Sequence, residues 1–279
     1  MTNIPAIALR DGREIPQLGV GVFKVDPADT ERVVSEALEI GYRHIDTARI
    51  YGNEEGVGRA IAASGIPRDE LFVTTKLWND DQGAEKARPA AEACLERLGL
   101  DRVDLYLIHW PAPDNGLALP TWAEMLKIRD AGLATSVGVC NFLPEHLEPL
   151  IAEYGDELPV VDQIEQHPWL QQPELRELLD AHGIRTEAWA PIGQAKAELL
   201  AEAPVAAAAE AHGKTPAQVI LRWHLQRGTI VFPKSVRRER LQENFDVLGF
   251  ELADEEMAAI AGLDRGEEGR LFTHPRDLN

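Results

Sequence analysis

A chain of 279 residues with 44% apolar side chains and mean hydropathy -0.24 can bury a large core in one domain, and no apolar run reaches the roughly 20 residues that cross a bilayer. A net charge of -19 disfavours nucleic acid and anionic membrane surfaces as partners. Two cysteines, Cys94 and Cys140, and an N-terminus without a basic stretch leading into an apolar one predict a reducing, cytoplasmic setting, with neither a disulfide framework nor a secretion signal.

Residues 1–17 are expected to form a β-hairpin, because Asp11-Gly12 lies between two apolar runs and suits a type I′ turn. Strand-like runs then follow in order: LGVGVF, RHID, LFVTTK, VDLYLIHW, ATSVGV, VVDQIE, IRTEAW and TIVFPK. Amphipathic runs separate them: ERVVSEALEI, EEGVGRAIAAS, AEKARPAAEACLERLG, TWAEMLKIRDAG, EHLEPLIAEYG, PELRELLDAHG and PAQVILRWHLQRG. Such alternation implies parallel strands with helical crossovers, and eight strands in this rhythm predict an α/β fold, a (β/α)8 TIM barrel over residues 1–279 capped by the hairpin. Gly41, Gly99, Gly132, Gly183 and Gly228 stand where helices would end. Two extra helices are expected, AEAPVAAAAEAHG after the seventh strand and ELADEEMAAIAGL near the end, followed by an irregular tail over 264–279. No long apolar patch stands out, so a monomer is expected.

Barrel chemistry sits at the C-terminal ends of strands. Asp46 closes the second strand, Lys76 the third and His109 the fourth; Cys140-Asn141 follows the fifth, Gln163 lies on the sixth, Trp189 closes the seventh and Lys234-Ser235 follows the eighth. Tyr51, five residues past Asp46, falls in a loop at the same mouth. A phenol is a poor acid at neutral pH, and a nearby lysine cation lowers its pKa. A partly buried lysine in turn needs a carboxylate. Asp46, Lys76 and Tyr51 supply these parts, and His109 is placed to hydrogen-bond a carbonyl oxygen. The set suits protonation of an oxyanion as a carbonyl accepts hydride from a cofactor. Neither GVGVFK nor GVGRAI completes the G-x-G-x-x-G fingerprint, which argues against a Rossmann dinucleotide site. Lys234, Arg237, Arg238 and Arg240 form a basic cluster in an acidic chain, at the place where barrels often bind phosphate, and a 2′-phosphate is its expected target; the competing reading is a solvated helix face matched to Glu239 and Glu243.

Two other functions compete. His44, Asp46 and His109 suggest a metal-dependent barrel hydrolase, but the remaining strand ends offer Asn, Gln and Trp, so no metal is expected. A nucleotide-sensing barrel with little turnover has no need of Tyr51 and Lys76 together.

GYRHIDTARIYGNEEGVG, VTTKLW, DLYLIHWP, GVCNF, VDQIEQHP, EAWAPIGQ and VFPKSVRRERLQEN together resemble, in order, the successive motifs of the aldo-keto reductases. The likeness runs from about Leu18 to Asn244 and is nearest to the bacterial 2,5-diketo-D-gluconic acid reductase branch. It implies NADPH as cofactor and a small carbonyl compound as substrate, with keto-sugar acids and small dicarbonyls such as methylglyoxal both suited. It implies Tyr51 as general acid, Lys76 as its modulator, Asp46 as the partner of Lys76, and His109 as the group orienting the carbonyl. Cofactor contacts would come from Cys140, Asn141 and Gln163 at the carboxamide and Trp189 on the nicotinamide ring. Pro191 and Gly193 would lie beside them, and Lys234, Ser235, Val236, Arg240, Glu243 and Asn244 at the adenosine end. Phe23, Trp78, His109, Trp110 and Phe272 would line the substrate pocket. Cys140 departs from the serine common in the family, and a thiol is the weaker donor.

Overall fold

A computed structural model describes residues 4–279; Met1, Thr2 and Asn3, the first three positions of the expected hairpin segment, lie outside the described residues. Strands β1 (Ala6–Ala8) and β2 (Glu14–Pro16) pair antiparallel. The turn between them is not type I′, which needs positive φ at both central residues. Gly12 has φ 82 but Asp11 does not share that sign; instead Gly12 N donates to Leu9 O at 3.1 Å and Leu9 N to Arg13 O at 2.8 Å, so the loop is longer than expected. The hairpin lies against the strand starts: Ser136 Oγ donates to Asp11 Oδ2 at 2.6 Å, and Ile15 packs with Leu105 and Leu107.

Eight parallel strands follow: β3 (Val20–Gly21), β4 (His44–Asp46), β5 (Phe72–Leu77), β6 (Val103–Ile108), β7 (Ala134–Cys140), β8 (Val161–Glu165), β9 (Arg185–Trp189) and β10 (Ile230–Val231). Each pairs with the next, and Leu18 bridges Val231 to bring the last strand to the first. Gly19 N donates to Val231 O at 2.9 Å and Val231 N to Gln17 O at 3.0 Å across this seam. The first and last strands are shorter than the runs LGVGVF and TIVFPK suggest. Pro233 has no N–H to give a ladder, and Phe232 and Lys234 leave the sheet to form the mouth.

The side-chain period of two sorts each strand into a lumen face and a helix face. On β6, Leu105 and Leu107 pack inside with Cys140, Val161, Ile230 and Phe232, while Tyr106 and Ile108 join the cluster under the helices. Glycine allows a close backbone approach between the first strand and the end of the last: a Cβ on Gly21 would stand 3.0 Å from Phe232 O.

The outer layer is α1 (Pro27–Ile40), α2 (Glu54–Ala63), α3 (Ala87–Leu98), α4 (Ala118–Asp130), α5 (Pro144–Tyr154), α6 (Pro173–Ala181), α7 (Ala197–Leu200), α8 (Ala203–His212), α9 (Pro216–Gln226), α10 (Arg238–Phe245) and α11 (Asp254–Ala261). Helix α1 starts four residues before the expected Glu31, because Asp26 caps Ala28 N at 2.9 Å and Pro27 needs no donor at the first position. All five glycines expected after helices take positive φ, as Gly99 does at 63°. The two extra helices exist and meet: Val205, Ala208 and Ala209 of α8 share a cluster with Ile260 of α11 and the fully buried Trp223. The tail makes one 3-10 turn, Gly266–Gly269, and is otherwise irregular. It is nonetheless anchored, by Leu271 N on Glu165 Oε1 at 2.8 Å and by Asp114 N on Asn279 Oδ1 at 2.8 Å.

Candidate active site

Strand parity brings the polar strand-end groups to one place. Asp46, Lys76, Gln163 and Glu187 come from four strands and meet in the lumen just below its mouth. Lys76 is fully buried, and its Nζ donates to Asp46 Oδ1 at 2.7 Å, to Asp46 Oδ2 at 2.8 Å and to Thr47 O at 2.9 Å. Burial pulls the ammonium pKa down, but the Asp46 carboxylate and the neighbouring Tyr51 more than offset this, so Lys76 is held above its ordinary value and stays charged.

Tyr51 sits on a short 3-10 turn, Arg49–Tyr51, with its Oη 3.5 Å from Lys76 Nζ and its ring 5.2 Å from the same ammonium. The sequence reading expects Lys76 to lower the phenol pKa. The lysine does act in that direction, but removal of the hydroxyl from water is the larger effect and leaves Tyr51 pushed up to about 12. At neutral pH Tyr51 therefore keeps its proton.

His109 continues the ladder one residue beyond β6, its N donating to Leu77 O at 3.1 Å. Burial, aided by the charge on Lys76, holds its imidazole well below the ordinary value, so the ring is neutral. Its Nδ1 is buried without a partner among the described residues, and the ring lies 5.8 Å from that of Tyr51 and 5.2 Å from that of Trp78.

Above these groups opens a cavity of about 500 Å3. Asp46, Tyr51, His109, Asn141, Gln163 and Trp189 reach its floor and sides, and Phe23, Trp78, Trp110, Pro191, Lys234 and Phe272 complete the predicted lining. Asn141 takes φ 61 after β7; its Nδ2 donates to His109 O at 2.9 Å, and its Oδ1 accepts from Trp189 Nε1 at 2.8 Å. Trp189 also meets Phe272, with ring centroids 4.8 Å apart.

Other predicted residues lie elsewhere. Cys140 is fully buried among lumen side chains and does not line the cavity, because its position on β7 turns it inward below the mouth. Gly193 is behind the wall, where a Cβ would come 2.6 Å from Leu199 Cδ2. Ser235, Val236, Arg240, Glu243 and Asn244 run beyond Lys234 along α10 and its approach, outside the cavity. Within the basic cluster Arg238 pairs with Glu39 at 2.7 Å rather than with Glu239, and Arg240 with Glu243 at 3.3 Å. His44, the ligand candidate of the metal reading, uses Nδ1 on Pro16 O and Nε2 on Thr74 Oγ1, each at 3.1 Å. Among the described residues no three His, Cys, Asp or Glu side chains group as a metal site.

Several lining residues have no counterpart in the sequence reading: Lys24, Ile50, Gln194, Thr273 and Leu278. Lys24 has φ 56 and lies over the Phe23 ring, and it helps to lower the pKa of Lys234, after the burial of Lys234 itself. Two cations thus stand close together at one side of the mouth. Glu187 carries a legible signal, since it shares strand parity with Trp189 and is a carboxylate amid buried residues.

A protonated phenol backed by a lysine cation, with a neutral imidazole on the same cavity, is an arrangement that can give a proton to a bound oxygen. The aldo/keto reductase family model matches residues 17–265, and the chain belongs to this family. It is 52% identical over 275 residues to an aldo-keto reductase of Mycolicibacterium smegmatis, covering 99% of this chain and 98% of that one. It is 50% identical over 267 residues to the methylglyoxal reductase DkgA of Yersinia pestis, covering 96% and 95% of the two chains. The crystal structure of a Gox0644 mutant in complex with NADPH superposes with a TM-score of 0.94 at 44% identity, covering 99% of each chain.

Proposed function

We propose that this chain reduces small aldehydes, ketones and dicarbonyls to alcohols with NADPH, with Tyr51 as the proton donor. The observation that carries the reading is the Asp46–Lys76–Tyr51 arrangement, open to the cavity beside a neutral His109.

The residues fit the cofactor. Asn141 and Gln163 offer polar atoms to a carboxamide, and the Trp189 indole offers a flat face to a nicotinamide ring. Lys24 and Lys234 supply cations for its phosphates in an otherwise acidic protein, and Arg240 is the candidate for the 2′-phosphate, with Ser235, Val236, Glu243 and Asn244 near the adenosine. When bound, NADPH supplies hydride to the carbonyl carbon.

The chain's own groups do the rest. Tyr51 keeps its proton until a carbonyl oxygen gains charge, then donates it from Oη. The resulting phenolate is held by the Lys76 ammonium, which Asp46 keeps charged. His109, neutral, hydrogen-bonds the same oxygen and sets its direction toward Tyr51. Phe23, Trp78, Trp110 and Phe272 give the cavity apolar walls beside the reacting atoms. A cavity of about 500 Å3 shared by a nicotinamide and a substrate favours small molecules. The likeness to a methylglyoxal reductase makes methylglyoxal the first substrate to try, with keto-sugar acids next.

The test is loss of reduced-nicotinamide absorbance with a panel of carbonyl compounds, using NADPH and NADH. Turnover that prefers NADPH is expected; no turnover with any member, despite tight NADPH binding, would overturn the reading.

A further inference from the structure

Glu187 has no part in the proton transfer just described, yet it is fully buried in the lumen on β9, beside Gln163 on β8 in the strand register. Gln163 Nε2 donates to Glu187 Oε2 at 3.0 Å and to Asp46 Oδ2 at 2.9 Å. An amide nitrogen carries two hydrogens, so both are spent below the cavity floor. Gln163 lines the cavity, and its Oε1 has no partner among the described residues. A flipped amide would set Oε1 against Asp46 Oδ2, which only accepts, and turn the donors away from both carboxyl groups.

We propose that Glu187 is a positioning residue for cofactor binding: by sharing Gln163 Nε2 with Asp46, it fixes the amide so that the carbonyl oxygen alone faces the cavity, as an acceptor for the carboxamide N–H of a nicotinamide. The inference rests on the NADPH reading above. One acceptor alone would leave the second N–H free and let the amide turn about its last bond; the pair of oxygens, from β4 and β9, defines its plane.

The environment of Glu187 agrees with this role. Across the lumen it faces Asp46 on β4 and Lys76 on β5; Gln163 and Cys140 lie on β8 and β7, and Ile230 is its neighbour on β10. Burial pushes its carboxyl up to about 8, against the opposing help of the Gln163 hydrogen bond, with Asp46 adding to the rise and Lys76 opposing it. At neutral pH it is mostly a neutral acid. Among the described residues Oε1 is buried without a hydrogen-bond partner, and Oε2 is the oxygen that accepts from Gln163.

The test compares Glu187→Gln, which keeps an acceptor, with Glu187→Leu, which removes it. Glu187→Met repeats the second arm with an unbranched, flexible side chain should leucine not be accommodated. Binding is read by fluorescence quenching with two probes, NADPH and 2′,5′-ADP, the second of which lacks the nicotinamide end. NADPH affinity is expected to fall about tenfold in the apolar variants and to stay within about twofold in Glu187→Gln, in proportion to one buried hydrogen bond to a locked group. Affinity for 2′,5′-ADP is expected to be unchanged in all. On a Gln163→Leu background, Glu187→Leu is expected to add nothing. Unaltered NADPH binding by the apolar variants, equal loss for both probes, or additive losses in the double variant would overturn the proposal. Wild-type turnover with NADPH, measured alongside, tests the reductase reading separately.

Discussion

Replacing Lys76 with methionine separates the two duties of this lysine. The side chain is fully buried and its Nζ makes three close hydrogen bonds, two of them to Asp46. Methionine fills nearly the same volume, so little cavity forms. What remains is a buried Asp46 with one side-chain donor left among the described residues, Gln163 Nε2 at 2.9 Å. Breaking a buried ion pair from one side costs about 3–5 kcal/mol, which for a chain of this length is a fall in Tm of about 5–15 °C. Removing both charges differs, because no ion is then left unpaired. The Asp46→Asn, Lys76→Met double variant should recover at least half of the loss, as read by thermal unfolding followed by circular dichroism. Its reductase activity should not recover, since the cation beside Tyr51 Oη is still missing. A double variant as unstable as the sum of the two single ones would show that Asp46 and Lys76 act independently and would refute the reasoning.

Tyr51→Phe removes only the hydroxyl, and kcat should fall by at least about a hundredfold while NADPH affinity by fluorescence stays near wild type; substantial residual turnover would show that another group is the acid. Arg240→Ala should weaken NADPH much more than NADH, and equal losses in a KM comparison would remove Arg240 from the 2′-phosphate. His44 is lowered from its ordinary 6.5 to about 4, mainly by burial. Its unfolded form thus binds a proton that the folded form refuses, and stability falls as pH drops through that window. His44→Asn should flatten the fall of Tm between about pH 6.5 and about pH 4, and an unchanged slope would remove His44 from the acid response.

The floor of the site was legible because it is made of strand ends, where a period of two and a barrel rule together say which side chains meet. Asp46, Lys76, His109 and Gln163 follow from the rule that barrel chemistry sits at strand ends, and the resemblance adds roles to those positions. The walls were not legible. Gln194, Thr273 and Leu278 come from segments with no period, and their places depend on long-range anchors such as Leu271 N on Glu165 and Asp114 N on Asn279. Lys24 was missed because its positive φ, not its neighbours in sequence, aims it at the mouth. Electrostatics was half legible: the sequence placed a cation beside the phenol but gave no measure of the water lost around it, and the second effect is the larger. Glu187 was within reach, since any carboxylate on the inward parity of a buried strand needs a partner.

The floor and the walls are also built from different parts of the chain. Asp46, Lys76, His109 and Gln163 stand on the barrel strands and their immediate extensions, where every change is felt by the lumen packing. Phe272, Thr273 and Leu278 belong to a tail with little regular structure, held at a few points. Heritable changes there can alter which molecules enter while the chemistry below is untouched. Descendants of such a protein can acquire new substrates by drift at the rim, without passing through an inactive ancestor.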